Sequence, residues 1–162
     1  MDRLKELSCR LARLLSSHPR YKQDARQKAP HILAIVPQGP DRLLLQAISR
    51  DAGWALRLSE MLPSLTSGCQ AEVPPIVIYD RDLSPDYWRE DVRALTKKAP
   101  KPYVILLSAN TDANLWDELQ RVGGSDILRA PVARDNMLGA LNRARRLWHS
   151  QKQVRSPNDK GL

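Results

Sequence analysis

Three short apolar runs set the terms for the whole chain: HILAIV at 31–36, PPIVIYD at 74–80 and YVILLSA at 103–109. Each is too short for a helical stripe and has no alternating polar face. Each therefore reads as a strand buried on both sides. Such strands need a parallel sheet with helices covering both faces. The segments between the runs supply those helices. Asp41 is placed to cap a helix over DRLLLQAISRDAG, which Gly53 ends. Ser84-Pro85-Asp86 opens a second helix running to about Lys98, and KAPKP makes the loop after it. Asn110 or Thr111 begins a third through NLWDELQRV, stopped at Gly123-Gly124. RDNMLGALNRARRLWHSQ, 134–151, forms the last, with Met137, Leu138, Leu141 and Leu147 facing inward. WALRLSE, 54–60, alternates like a strand with one wet face, and SDILRAPV holds a final short strand. MLPSLTSGCQ, 61–70, reads as an irregular or helical piece. The pattern predicts one doubly wound α/β domain with a five-stranded parallel sheet over 31–150.

Both flanks differ from this domain. From Asp2, DRLKELSCRLARLLSS carries Leu4, Leu7, Leu11, Leu14 and Leu15 at helical spacing. It is expected to form an amphipathic helix that docks on the domain or on the same helix of a second chain. The polar stretch HPRYKQDARQKAP reads as a linker, so 1–30 is helix and linker, and 151–162 is expected to be a disordered tail. Charge follows the same division. The net charge is +8, with about +5 in residues 1–30, about −2 in 31–132 and about +5 in 133–162. The alternative function this suggests is salt-sensitive nucleic-acid binding through Arg10, Arg13, Arg143, Arg145 and Arg146. A basic run is also what a solvated helix face looks like.

Several function classes find no support. No apolar run approaches the ~20 residues needed to span a bilayer, so no membrane role is expected. The charged start lacks a signal core, and Cys9 and Cys69 fit neither a metal site nor a disulfide framework, so a reduced, cytoplasmic protein is expected. His18, His31 and His149 have no ligand spacing. PQGPD after the first strand has one glycine, which disfavours a dinucleotide or P-loop site, and no nucleophile elbow is present. Neither an enzyme nor a cofactor is expected. Trp54, Trp88, Trp116 and Trp148 fall on separate elements and are expected to pack, with Trp88 and Trp116 near helix surfaces.

In a doubly wound sheet, functional groups gather at the carboxyl ends of the strands. Here those ends hold Pro37-Gln38, Asp80, Ser108 and Ala130-Pro131. The order of strands, Asp80 closing PIVIYD, Ser108-Ala109 closing YVILLSA, and GGSDILRAPV near the end resemble the receiver domain of bacterial two-component response regulators. The resemblance covers about 31–148. It implies a phospho-accepting Asp at Asp80 and a switch hydroxyl at Ser108. It also implies a cis peptide bond before Pro131, and a partner face built from the family's fourth helix, fifth strand and fifth helix. On this chain that face uses Leu115, Trp116, Leu119 and Arg121 together with the last helix.

The departures from the family are specific. Pro37 and Gln38 stand where the family has an acidic pair, Ala130 where it has Lys, and Ile127 where it has an aromatic switch residue. Phosphoryl transfer to a carboxylate depends on positioning and charge neutralisation, and Mg²⁺ wants oxygen ligands that include carboxylates. With these residues Asp80 reads as a vestigial acceptor, and Arg81 and Arg129 are nearby cations outside the family's position. A strand-end Asp also serves simply to cap a turn, which is the plain alternative for Asp80. The expectation is a degenerate receiver working in phosphorelay-type signalling as a protein-interaction module, independent of phosphorylation, with a protein partner or a second copy of itself.

Overall fold

The computed structural model describes residues 30–63 and 73–154. The N-terminal helix and linker, most of the 61–70 piece, Cys9, Cys69, His18, Arg10, Arg13 and the last eight positions lie outside the described residues.

The chain alternates β1 (His31–Ile35), α1 (Pro40–Ala52), β2 (Ala55–Ser59), β3 (Ile76–Asp80), a 3₁₀ turn (Arg81–Leu83), α2 (Trp88–Thr96), β4 (Tyr103–Ser108), α3 (Ala113–Arg121), β5 (Asp126–Arg129) and α4 (Arg134–Val154). The strands form one parallel sheet in the order β2-β1-β3-β4-β5. This is the doubly wound, flavodoxin-like receiver fold. The chain leaves β1 toward one edge and returns on its other side as β3. The crevice between the ends of those two strands is therefore the topological switch point.

Strand pleating divides the core in two. Ile32, Ala34, Ile76, Ile78, Ile105 and Leu107 point to the side covered by α1 and α4, where they meet Leu45, Ile48, Met137, Ala140, Leu141 and Ala144. Leu33, Ile35, Val77, Tyr79, Val104 and Leu106 point to the side covered by α2 and α3, where they meet Trp88, Val92, Leu95, Leu115, Leu119 and Val122. The central strands are buried on both faces because their runs are apolar at odd and even positions alike. Each fully buried Ile or Leu contributes roughly 1.5–3 kcal/mol. The edge strand β2 alternates exposed with half-buried residues, as its sequence predicts.

On the α2/α3 side two fastenings join the helices. Arg89 pairs with Glu118, and Thr96 Oγ1 donates to Val122 O at 2.8 Å. The turn after α3 depends on glycine twice: Gly123 has φ of +90°, and a Cβ on Gly124 would fall inside the Leu119 side chain.

Several expectations are corrected. Asp41 does not cap α1; Gly39 is the cap residue, Pro40 opens the helix, and Asp41 sits in its first turn. Helix α2 begins at Trp88 rather than Ser84, because residues 84–87 close a turn in which Tyr87 N donates to Ser84 O. Ser and Pro are also the preferred first and second residues of a β-turn, and here the turn prevails. Asp112, not Asn110 or Thr111, caps α3 by accepting from Leu115 N at 2.7 Å. Trp88 is fully buried, not at a helix surface, while Leu147 is 51% exposed rather than inward. Residues 151–154 extend α4 instead of joining the tail.

Candidate functional site

The site at the sheet's carboxyl end is built from four loops, those after β1, β3, β4 and β5. Asp80 is the last residue of β3, and Ser108 the last of β4. Among the described residues the buried polar side chains are Ser49, Asp80 and Ser108, so two of three stand at these strand ends. Burying a polar group costs free energy that a hydrogen bond offsets; Ser49 Oγ has no such partner, whereas Asp80 and Ser108 both do. Their bonds therefore show what each does.

Asp80 Oδ1 accepts from Asp82 N at 2.8 Å and so caps the 3₁₀ turn. Burial pushes the Asp80 carboxyl above its ordinary value. The Asp82 amide pulls it down, and the Asp82 and Asp41 carboxylates add to the upward push. Both of those carboxylates are committed to backbone amides. Asp82 Oδ2 accepts from Ala109 N at 3.1 Å, and Asp41 Oδ1 accepts from Val132 N at 2.6 Å. Asp41 thus ties the loop after β1 to the loop after β5.

Ser108 does not face Asp80. Pleating sends Asp80 to the side of Ile76 and Ile78, whereas Ser108 follows Val104 and Leu106 to the opposite side. The Ser108 hydroxyl donates to Asn110 O at 2.7 Å and accepts from Arg81 Nη1 at 3.4 Å. Arg81 opens the 3₁₀ turn after β3, and its guanidinium reaches Ser108 from there. Its Nε is buried without a partner. On that side Tyr79 donates to Asp91 Oδ2 at 2.5 Å, and burial with this bond raises the phenol well above its ordinary range.

The remaining expected positions are placed as follows. Pro37 and Gln38 are exposed, and the Gln38 amide turns outward to Glu60 at 3.0 Å. Ile127 is half-buried against the α2/α3 core. Ala130 N donates to Ser108 O at 3.0 Å, and the Ala130–Pro131 peptide is cis, as the resemblance implied; so is Ala99–Pro100, which the sequence reading did not include. Leu115 and Leu119 are core residues, 3% and 0% exposed, and are not available to a partner. Trp116, 39% exposed, and the exposed Arg121 are. Arg143 is committed to Asp126 at 2.5 Å, which removes it from the proposed cluster with the exposed Arg145 and Arg146. Sequence reasoning placed Arg81 near the site only as a cation, without its bond to Ser108, and missed Asp41 as a site residue. Arg81 reaches its partner across 27 positions and Asp41 across 91, which no local pattern reports.

The fold family works with Mg²⁺, and the residues present do not fit it. Mg²⁺ takes carboxylates plus waters in near-octahedral geometry. Here Asp41 and Asp82 are held by amides of other loops, Gln38 points away, and among the described residues no group of three or more His, Cys, Asp or Glu is placed to hold a metal ion. A cleft of about 370 Å³ lies at the other end of the sheet, lined by Pro75, Pro102, Tyr103, Leu147 and Trp148, and shares no residue with this site. No described helix is long and apolar enough to cross a membrane.

No family profile matches the chain, and no curated protein matches it in sequence. Solved structures match it in fold. One is the chemotaxis response regulator CheY4 of Vibrio cholerae, with 19% identity and a TM-score of 0.62 over 72% of this chain and 98% of that one. A response regulator from Thermotoga maritima has 16% identity and a TM-score of 0.58, over 72% and 97%. The receiver domain of the sensor histidine kinase PA1611 from Pseudomonas aeruginosa, solved with a magnesium ion coordinated in its active-site cleft, has 17% identity and a TM-score of 0.58, over 71% and 96%. The likeness is one of fold.

Proposed function

Starting from the receiver fold, we propose that this chain is a degenerate receiver: a signalling module of phosphorelay type that acts by protein contact, is not an enzyme and does not use an aspartyl phosphate. The observation that carries this reading is the internal satisfaction of the acidic site. Each of Asp80, Asp82 and Asp41 accepts a backbone amide of this chain. An aspartyl phosphate would place close to two further negative charges beside these carboxylates. Ala130 brings no cation, and Pro37 and Gln38 bring no acid that would hold one.

The contact surface favoured by this reading is the side of α3 nearest β5. Glu118 reaches back to Arg89 of α2, and Trp116 lies about 160° away around the same helix, so it faces the β5 edge of the sheet. Among the described residues no strand lies beyond that edge. An exposed tryptophan beside an open edge is suited to a protein partner or a second copy.

The test is chemical. Incubation with acetyl phosphate, and separately with beryllium fluoride, each with Mg²⁺, is followed by intact-mass measurement and fluorine NMR. The expected result is no adduct. A Mg²⁺-dependent adduct mapping to Asp80 would restore an ordinary phospho-accepting receiver and overturn the proposal.

A further inference from the structure

The residues that follow β3 hold the loop that follows β4. Arg81 and Asp82 reach across from the 3₁₀ turn to neighbouring atoms of one short segment. Arg81 Nη1 donates to Ser108 Oγ at 3.4 Å, and Asp82 Oδ2 accepts from Ala109 N at 3.1 Å. Ser108 Oγ in turn donates to Asn110 O at 2.7 Å and accepts from Asn110 N at 3.3 Å. Two residues later Asp112 caps α3. Asp82 itself is oriented by Asp80, which takes its backbone N–H at 2.8 Å. A continuous line of bonds therefore runs from the end of β3 to the first turn of α3.

We infer that Arg81 and Asp82 form a clamp by which the end of β3 sets the position of the β4–α3 loop and of the α3 N-terminus, with no ligand or covalent group required. Arg81 and Asp82 are positioning residues in this arrangement. The clamp goes beyond the signalling proposal, since it is a property of this chain alone. It gives the Asp80 end a route to the helix that carries Trp116.

Arg81 supplies the observation that separates a clamp from ordinary stabilisation. Its Nε–H is buried and unpaired. A buried donor without a partner is destabilising, so an apolar side chain of similar length would suit global stability as well or better. Arg81→Met is therefore expected to leave the melting temperature unchanged or higher while loosening the loop. Asp82→Ala frees the Ala109 amide, whose exchange is expected to rise about tenfold, the loss of one hydrogen bond. Asp82→Asn keeps an acceptor oxygen and should restore most of that protection.

The experiment is amide exchange and resonance assignment by NMR on the wild type and these three variants, with thermal melts alongside. The expected result is that Asp82→Ala and Arg81→Met both shift the amides of Ala109, Asn110 and Ala113 to Leu115, while those of Leu45 and Ile48 in α1 stay in place. Changes confined to residues 80–84 would overturn the clamp. So would exchange that rises uniformly through all strands in step with a lower melting temperature. Arg81→Met alone decides the matter if Asp82→Ala fails to fold. An adduct on Asp80 would sink the signalling proposal without touching the clamp, and an unperturbed loop would do the reverse.

Discussion

The ends of β3 and β4 differ sharply from the ends of β1 and β5. At β3 and β4 the strand closes on a buried polar residue, Asp80 or Ser108, whose side chain bonds the backbone two residues on. At β1 and β5 the chain passes into Pro37-Gln38 and Ala130-Pro131, with Gln38 turned to solvent and Ala130 bonded through its backbone. The first pair carries polar side chains built into the turns, whereas the second carries no charged side chain at Pro37, Gln38, Ala130 or Pro131. A loop can be held in place by neutral hydrogen bonds, but an added phosphoryl group requires cations. Positioning and neutralisation are separable, and the bonds at the ends of β3 and β4 serve the former.

The largest effect should come from the bond within the second pair, which ties the end of β1 to the end of β5. Asp41→Ala removes the acceptor that holds Val132 N, leaving the Ala130 N to Ser108 O bond to hold the loop after β5. A loss of about 1–3 kcal/mol is expected, the cost of an unmade hydrogen bond at a half-buried site, read from the urea midpoint. No change in midpoint would mean that the β1 and β5 ends are independent.

A smaller effect, of opposite sign, is expected at β3. The Asp80 carboxyl is raised by burial, so the folded state favours its protonated form. Its contribution to stability is fully present below the ordinary carboxylate value of 3.8 and is lost as pH rises through the higher folded-state value. Asp80→Asn keeps an acceptor for Asp82 N and removes the charge. It should be within about 1 kcal/mol of wild type at pH 7, on the stabilising side, and should flatten that part of the stability–pH profile. Destabilisation at pH 7 would show that the charge itself is needed there.

The smallest effect is expected at the end of β1. Gln38 is exposed and bonds only Glu60, which also accepts from Arg42. Gln38→Ala should change stability by no more than about 0.5 kcal/mol. A larger loss in calorimetry would put this end on the same footing as β3 and β4.

The three central strands were legible because continuous apolar runs leave few alternatives to a doubly covered sheet, β2 was legible from its alternation, and Gly53 and Gly123 mark helix ends by their positive φ. The helix starts were less so. Ser84-Pro85 satisfies the rules for both a helix N-terminus and a β-turn, and only the packing of Trp88 into the α2/α3 core decides between them. The burial of Leu115, Leu119 and Val122 was available from their i, i+4, i+7 spacing, the same stripe that buries Trp88, Val92 and Leu95. Assigning two of those leucines to a partner face gave the family pattern priority over the helical period. The bonds of Asp41 and Arg81 were beyond reach, since each joins segments that only the folded sheet brings together.

The paired fastenings between α2 and α3 have a mechanical consequence. Two helices pinned at one point can swivel about it. Arg89–Glu118 and Thr96–Val122 are separated by seven residues on α2 and four on α3, so they act as two rivets in a plate. With two rivets the helices lose the freedom to turn against each other. A push on α3 at Trp116 then tilts α2 with it, and the sheet face beneath meets the pair as a single stiff panel.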